Sequence, residues 1–173
     1  MSIERVLLVG LMGAGKTSVG TALAARLGWP WLDNDDLVAR AQGASKQTLA
    51  ALVGVSALHA GEVAALQVAL TRRPPLVAGV AGFAPTVPAA AGLMATAPGT
   101  LVVWLRADVD TLAARLRADP QDRPLLGADP AVALRRLAVD REPAYSAVAD
   151  LVLDVAGHTP EELAARIATR VVG

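Results

Sequence analysis

Short apolar runs alternate with stretches of helical periodicity along the whole chain, regularly enough to place its elements. Runs rich in Val and Leu predict strands near Arg5–Val9, Trp29–Leu32, Leu76–Ala78, Thr100–Leu105 and Asp150–Val155. Between them, three- and four-residue apolar spacing predicts helices over Lys16–Leu27, Asp36–Gln42, Lys46–Val53, Ser56–Thr71, Thr86–Ala95, Asp108–Ala118, Pro130–Ser146 and Pro160–Val171. Strands with almost no polar positions, each followed by helix, are what a parallel sheet covered on both faces demands, so the expected class is α/β. Two helix starts carry their own signals. Thr159-Pro160-Glu161-Glu162 combines an N-cap, a proline at the first helical position and a glutamate at the third, and Asp129-Pro130 repeats the first two devices. The stretch Asp119 to Gly127 is too rich in charge and proline for a helix and reads as a loop between two helices.

Composition narrows this picture without changing it. A chain of 173 residues suits one domain with one sizeable core, and no repeat or linker divides it. Because 54% of residues are hydrophobic but only 3% aromatic, that core is expected to be built from Ala, Val and Leu. Sixteen basic and sixteen acidic residues cancel, which removes the electrostatic reason to expect a nucleic-acid or membrane-surface partner and points to a small substrate. The absence of cysteine excludes disulfides and thiolate metal sites. A strand begins almost at the N-terminus with no leader pattern before it, and the alanine-rich runs are broken by Pro and Gly well short of a membrane span. A cytoplasmic monomer is expected.

The segment after the first strand changes the picture most. Gly10-Leu11-Met12-Gly13-Ala14-Gly15-Lys16-Thr17 fits G-x-x-x-x-G-K-[ST] and lies between a buried strand and a helix, where a P-loop must lie. Its glycines allow a backbone turn tight enough to aim N–H groups at phosphate oxygens, and the helix N-terminus adds partial positive charge. Lys16 then supplies a full charge at the β/γ-phosphates, and the Thr17 hydroxyl is placed to ligate Mg²⁺. A nucleoside triphosphate with Mg²⁺ is therefore expected here.

Asp33-Asn34-Asp35-Asp36 follows the second strand, and ligands of open α/β sheets bind beyond the carboxyl ends of strands. Phosphoryl transfer needs one acid for the metal shell and one to orient and deprotonate the attacking hydroxyl. Asp33 is assigned to the metal and Asp35 to the acceptor, against the alternative that Asp35 or Asp36 caps the next helix. Arg123, in the irregular loop, is either a mobile cation that closes over the transferred phosphoryl group or an ordinary solvent-exposed arginine. Arg141, before Glu142-Pro143, either binds an anionic substrate through its planar fork or forms a surface ion pair. Arg115 either stacks on adenine or lies solvated on its helix face. His59 and Glu62 share a helix face and read more simply as a structural pair. Trp29 and Trp31, on either side of Pro30, read as packing residues.

Together these segments resemble the shikimate kinases. Gly10 to Thr17 with Ser18-Val19-Gly20, Leu32-Asp33-Asn34-Asp35, Arg123-Pro124-Leu125-Leu126 and Arg141-Glu142-Pro143-Ala144-Tyr145 occur in that family's order and approximate spacing, from Val6 to about Val155. The resemblance implies a nucleoside-monophosphate-kinase-like, three-layer α/β/α domain spanning residues 1–173, with a five-stranded parallel sheet. It also implies a short lid at about 119–127 and an acceptor-binding region at about 33–62. The implied ATP contacts are Met12, Gly13, Ala14, Gly15, Lys16, Thr17, Ser18, Arg115 and Arg123, with Thr17 and Asp33 at the metal. Lys16, Asp35 and Arg123 would be catalytic, and the acceptor would meet Asp35, His59, Gly79, Val80, Ala81 and Arg141, the last at its carboxylate.

The departures lie on the acceptor side. The family's second carboxylate-binding arginine, in a phenylalanine-arginine-x-x-glutamate pattern, corresponds to His59 in Leu58-His59-Ala60-Gly61-Glu62. Its triple glycine after the third strand reads Gly79-Val80-Ala81, and its glycine-glutamate before the arginine helix reads Gly54-Val55. The expected activity is ATP-dependent phosphorylation of a small hydroxylated metabolite, with shikimate the leading acceptor. The rivals are another acceptor, such as a sugar acid, cyclitol or nucleoside, and a nucleotide-binding protein without phosphotransfer.

Overall fold

The run Val6-Leu7-Leu8-Val9 is wholly inaccessible to solvent, as a strand paired on both edges and covered on both faces must be. It forms most of β1 (Arg5–Val9), whose Leu8 is in register with Gly79 of β3 (Leu76–Gly79) and Val103 of β4 (Thr100–Arg106). With β2 (Trp31–Leu32) and β5 (Leu151–Asp154) these make a five-stranded, all-parallel sheet in the order β2-β3-β1-β4-β5. The computed structural model describes residues 2–43, 46–118 and 129–172. Among these, the helices are α1 (Lys16–Leu27), α2 (Asn34–Gln42), α3 (Lys46–Thr71), α4 (Pro88–Thr96), α5 (Val109–Ala118), α6 (Pro130–Val148) and α7 (Pro160–Val171).

Strand order dictates the layers. Chain travel from β1 to β2 runs one way across the sheet and every later crossover runs the other way, so right-handed connections put α1 on one face and α3, α4 and α6 on the opposite one. After β5, α7 packs on α1, while α3 and α6 both meet α4. The direction of travel therefore reverses between β1 and β3, and the crevice beyond their carboxyl ends is where an open α/β sheet binds ligands. One cluster of buried aliphatic side chains centred on β1, β3 and β4 forms the core; Val38, Leu58 and Ala65 form a smaller one between α2 and α3.

All five strands stand where the hydrophobic pattern puts them, with shorter ends at β2 and β5. Three helix boundaries differ for local reasons. α2 starts at Asn34, two residues early, because Asp33 caps it, its Oδ1 accepting the Asp35 amide at 2.9 Å. The helix expected from Thr86 is a 3-10 turn (Ala84–Thr86) followed by α4, with Pro88 at its first position. The helices expected as Lys46–Val53 and Ser56–Thr71 are continuous as α3 but kinked at Gly54, whose φ of 83° and ψ of 165° are not helical. Trp31 packs as expected, against the helix backbone: a Cβ at Gly20 would lie 2.1 Å from its ring, so α1 can sit this close to β2 only with glycine there.

Candidate active site

The loop after β1 turns through Gly13 and Gly15, with φ of 82° and 93°, left-handed values that favour glycine. Gly15 is the N-cap of α1 and has no side chain to occupy the first amides, which leaves the helix terminus suited to an anion. The half-buried Lys16 folds across the loop, its Nζ donating to Gly10 O at 2.7 Å and Leu11 O at 3.1 Å. Arg115 reaches the same loop from α5. Its guanidinium donates to Gly13 O and Ala14 O at 3.3 and 3.4 Å and to Val155 O at 3.4 Å, tying the loop to the end of β5. Arg115 is thus more than a solvated helix-face residue: it braces the loop while lining the cleft.

The carboxyl end of β2 delivers the acids to this loop. Asp33 uses both oxygens: Oδ1 caps α2, and Oδ2 accepts the Thr17 hydroxyl at 2.9 Å. The cap falls to Asp33 and not to Asp35 or Asp36, which sit exposed in the first turn of α2. Between the acids, Asn34 is 3% exposed and neither atom of its amide is hydrogen-bonded.

The opposite wall comes from α3, α6 and the segment after β3. Arg141 and Glu62 are both buried, at 7% exposure. Tyr145, one turn beyond Arg141, donates its hydroxyl to Gly82 O at 2.7 Å; burial pushes its pKa up to about 12, so it remains a proton donor. A Cβ at Gly82 would lie 3.0 Å from the Tyr145 hydroxyl and 3.1 Å from an Arg141 guanidinium nitrogen, so this backbone is packed directly on both side chains. His59 stacks on Phe83, and the Arg141 guanidinium lies 6.0 Å from that ring's centroid.

These pieces enclose a cleft of about 720 Å³ at the reversal point between β1 and β3. Met12, Gly13, Ala14, Gly15, Lys16, Thr17, Ser18, Asp33, Asp35, His59, Gly79, Val80, Ala81, Arg115 and Arg141 all line it. Arg123 and the loop at 119–127 lie outside the described residues. Val80 is 1% exposed and belongs to the central core, which absorbs much of the bulk it adds in place of glycine. Gly82, Phe83 and His158 line the cleft as well and had not been singled out. Phe83 left one signal, as the only phenylalanine of the chain, placed directly after a glycine-rich strand end.

The family model for shikimate kinase matches residues 12–172. The chain belongs to the shikimate kinase family. A shikimate kinase from Synechococcus sp. (strain CC9605) is 37% identical over 165 residues, 95% of this chain and 80% of that one. Another, from Halorhodospira halophila, is 36% identical over 171 residues, covering 98% and 94% of the two chains. Among solved structures, the shikimate kinase from Acinetobacter baumannii in complex with shikimate superposes with a TM-score of 0.90 at 30% identity, over 98% of this chain and 93% of that one. As a member of the shikimate kinase family, the chain is a P-loop, ATP-binding small-molecule kinase. Among the described residues, no helix is long and apolar enough to cross a membrane.

Proposed function

We propose that this cleft transfers the γ-phosphate of ATP to a ring hydroxyl of shikimate, yielding ADP and shikimate 3-phosphate. The observation that carries the reading is the 2.9 Å bond from Thr17 to Asp33, which brings the end of β2, and with it Asp35, to the mouth of the P-loop. The nucleotide phosphates lie along the amides from Gly13 to Ser18, where Lys16 exchanges carbonyl partners for β- and γ-phosphate oxygens. Thr17 and Asp33 fit Mg²⁺, since both offer hard oxygen donors. Bound there, the ion would neutralise negative charge on the phosphates.

Asp35 accepts the proton of the attacking hydroxyl as its oxygen bonds to the γ-phosphorus and the bond to the β-phosphate oxygen breaks. Arg141 holds the acceptor's carboxylate, with His59 beside it and the Gly79 to Ala81 backbone beneath. The motif match supports Arg123 as the lid cation that neutralises the transferred group. The acceptor region proposed at 33–62 takes in α2 and the first part of α3. The reading extends to a single-domain protein that acts as a monomer in the cytoplasm. Phosphorus NMR of a mixture of protein, ATP, Mg²⁺ and shikimate tests the reading. One phosphate ester of shikimate per ADP is expected; free phosphate with no ester would overturn it.

A further inference from the structure

His59 on α3 and Phe83 after β3 face each other ring on ring, with centroids 3.6 Å apart and planes 8° from parallel. So short a centroid distance leaves little room for lateral offset, and one ring lies largely over the other. Two neutral aromatic rings disfavour that arrangement, because their electron-rich faces oppose, and adopt offset or edge-on geometries instead. A cation favours it, because positive charge over a ring face meets the negative end of the quadrupole. The stack therefore suits an imidazolium better than a neutral imidazole. Arg141 approaches the same ring, 6.0 Å from its centroid, and all three side chains line the cleft.

We propose that His59, Phe83 and Arg141 form one anion-binding element, in which the stack on Phe83 favours the imidazolium of His59 and the acceptor's carboxylate binds with uptake of a proton wherever that imidazole is otherwise neutral. The inference rests on the proposed function, which supplies a carboxylated acceptor. Among the described residues, the charged groups that line the cleft with His59 are Glu62 on its own helix, Arg141 on α6, and, across from them, Asp33, Asp35, Lys16 and Arg115, with Tyr145 packed behind Gly82. Glu62 and Asp35 favour the imidazolium, Arg141 opposes it, and Tyr145 stays neutral with its pKa near 12. A carboxylate arriving between His59 and Arg141 cancels that opposition, so binding raises the proton affinity of His59. By reciprocity, protonation tightens binding.

The sign follows directly. Acceptor affinity is highest at acid pH, where His59 is protonated before the acceptor arrives, and weakens by up to about tenfold per pH unit once it is not, while the ATP Michaelis constant stays flat. The experiment measures shikimate binding and its Michaelis constant on untagged protein from about pH 5.5 to about pH 8.5, a range in which the acceptor's carboxylate stays ionised. Calorimetry in two buffers of different ionisation enthalpy counts the protons taken up. The unmodified protein should take up close to one proton per shikimate above neutral pH. His59→Gln should bind weakly at every pH with no proton uptake, and His59→Arg tightly at every pH with none. Phe83→Leu should move the transition to lower pH, a change that mere loss of packing would not produce. Shikimate binding that is flat with pH, or a slope that survives in His59→Gln, would overturn the inference and leave the functional reading standing. Failure to bind shikimate at any pH would overturn both.

Discussion

Asp33 carries two duties with one side chain: it caps α2 through Oδ1 and binds Thr17 through Oδ2. Substitutions can separate them. Asparagine is as good an N-cap as aspartate, so Asp33→Asn should keep stability while raising the Mg²⁺ concentration needed for half-maximal rate; Asp33→Ala should in addition cost about 1 kcal/mol in urea unfolding. Asp35 is exposed and is not the cap, so a substitution there tests its proposed role as base apart from helix stability. Asp35→Asn should lower kcat by about 10²-fold or more with ATP affinity little changed, and equal turnover in the two proteins would remove it from the mechanism. Lys16→Ala should abolish turnover and weaken ATP binding while circular dichroism and the unfolding midpoint stay near those of the unmodified protein, since the side chain spans a loop at the cleft surface. The chain spells out which acids sit at the P-loop but not which of four consecutive polar residues caps α2, because any of them has the chemistry and only the backbone path chooses.

At the scale of elements, what the sequence revealed was what local chemistry decides. The capping box of α7 is present as read: Thr159 Oγ1 accepts the Glu162 amide at 3.2 Å and Glu162 returns the bond to the Thr159 amide at 2.9 Å. Thr159→Ala should cost about 1 kcal/mol, measured by denaturant midpoint. Because His158 and Pro160 line the cleft on either side of it, the same change should raise the ATP Michaelis constant while leaving that for the acceptor alone. Gly20→Ala tests a contact that no local signal announces. Its methyl would meet the Trp31 ring at 2.1 Å, and forcing α1 off β2 should destabilise the fold by about 1–3 kcal/mol. The break at Gly54 was legible because glycine interrupts a helical pattern; the bracing role of Arg115 was not, because its carbonyl partners come from distant segments.

For the molecule as a whole, the two halves of the cleft differ in how they are encoded. The nucleotide half is largely one contiguous loop and helix start, so its motif is readable in the chain. The acceptor half is assembled from α2, α3, the segment after β3 and α6, which the strand order β2-β3-β1-β4-β5 brings together. Its stacked His59 and Phe83, and the packing of Arg141 and Tyr145 on Gly82, exist only once the chain has folded. The same layout makes acceptor choice the point where the account is most exposed. One charge-assisted contact from Arg141 to a carboxylate is worth about 1.5–3 kcal/mol, a factor of roughly ten to a hundred or more in specificity. The most direct measurement is therefore kcat/KM for ADP release with shikimate against the same ring lacking its carboxylate. The account predicts that shikimate is favoured by at least about tenfold and that Arg141→Gln removes most of the preference. Equal specificity constants for the two acceptors in the unmodified protein would contradict it.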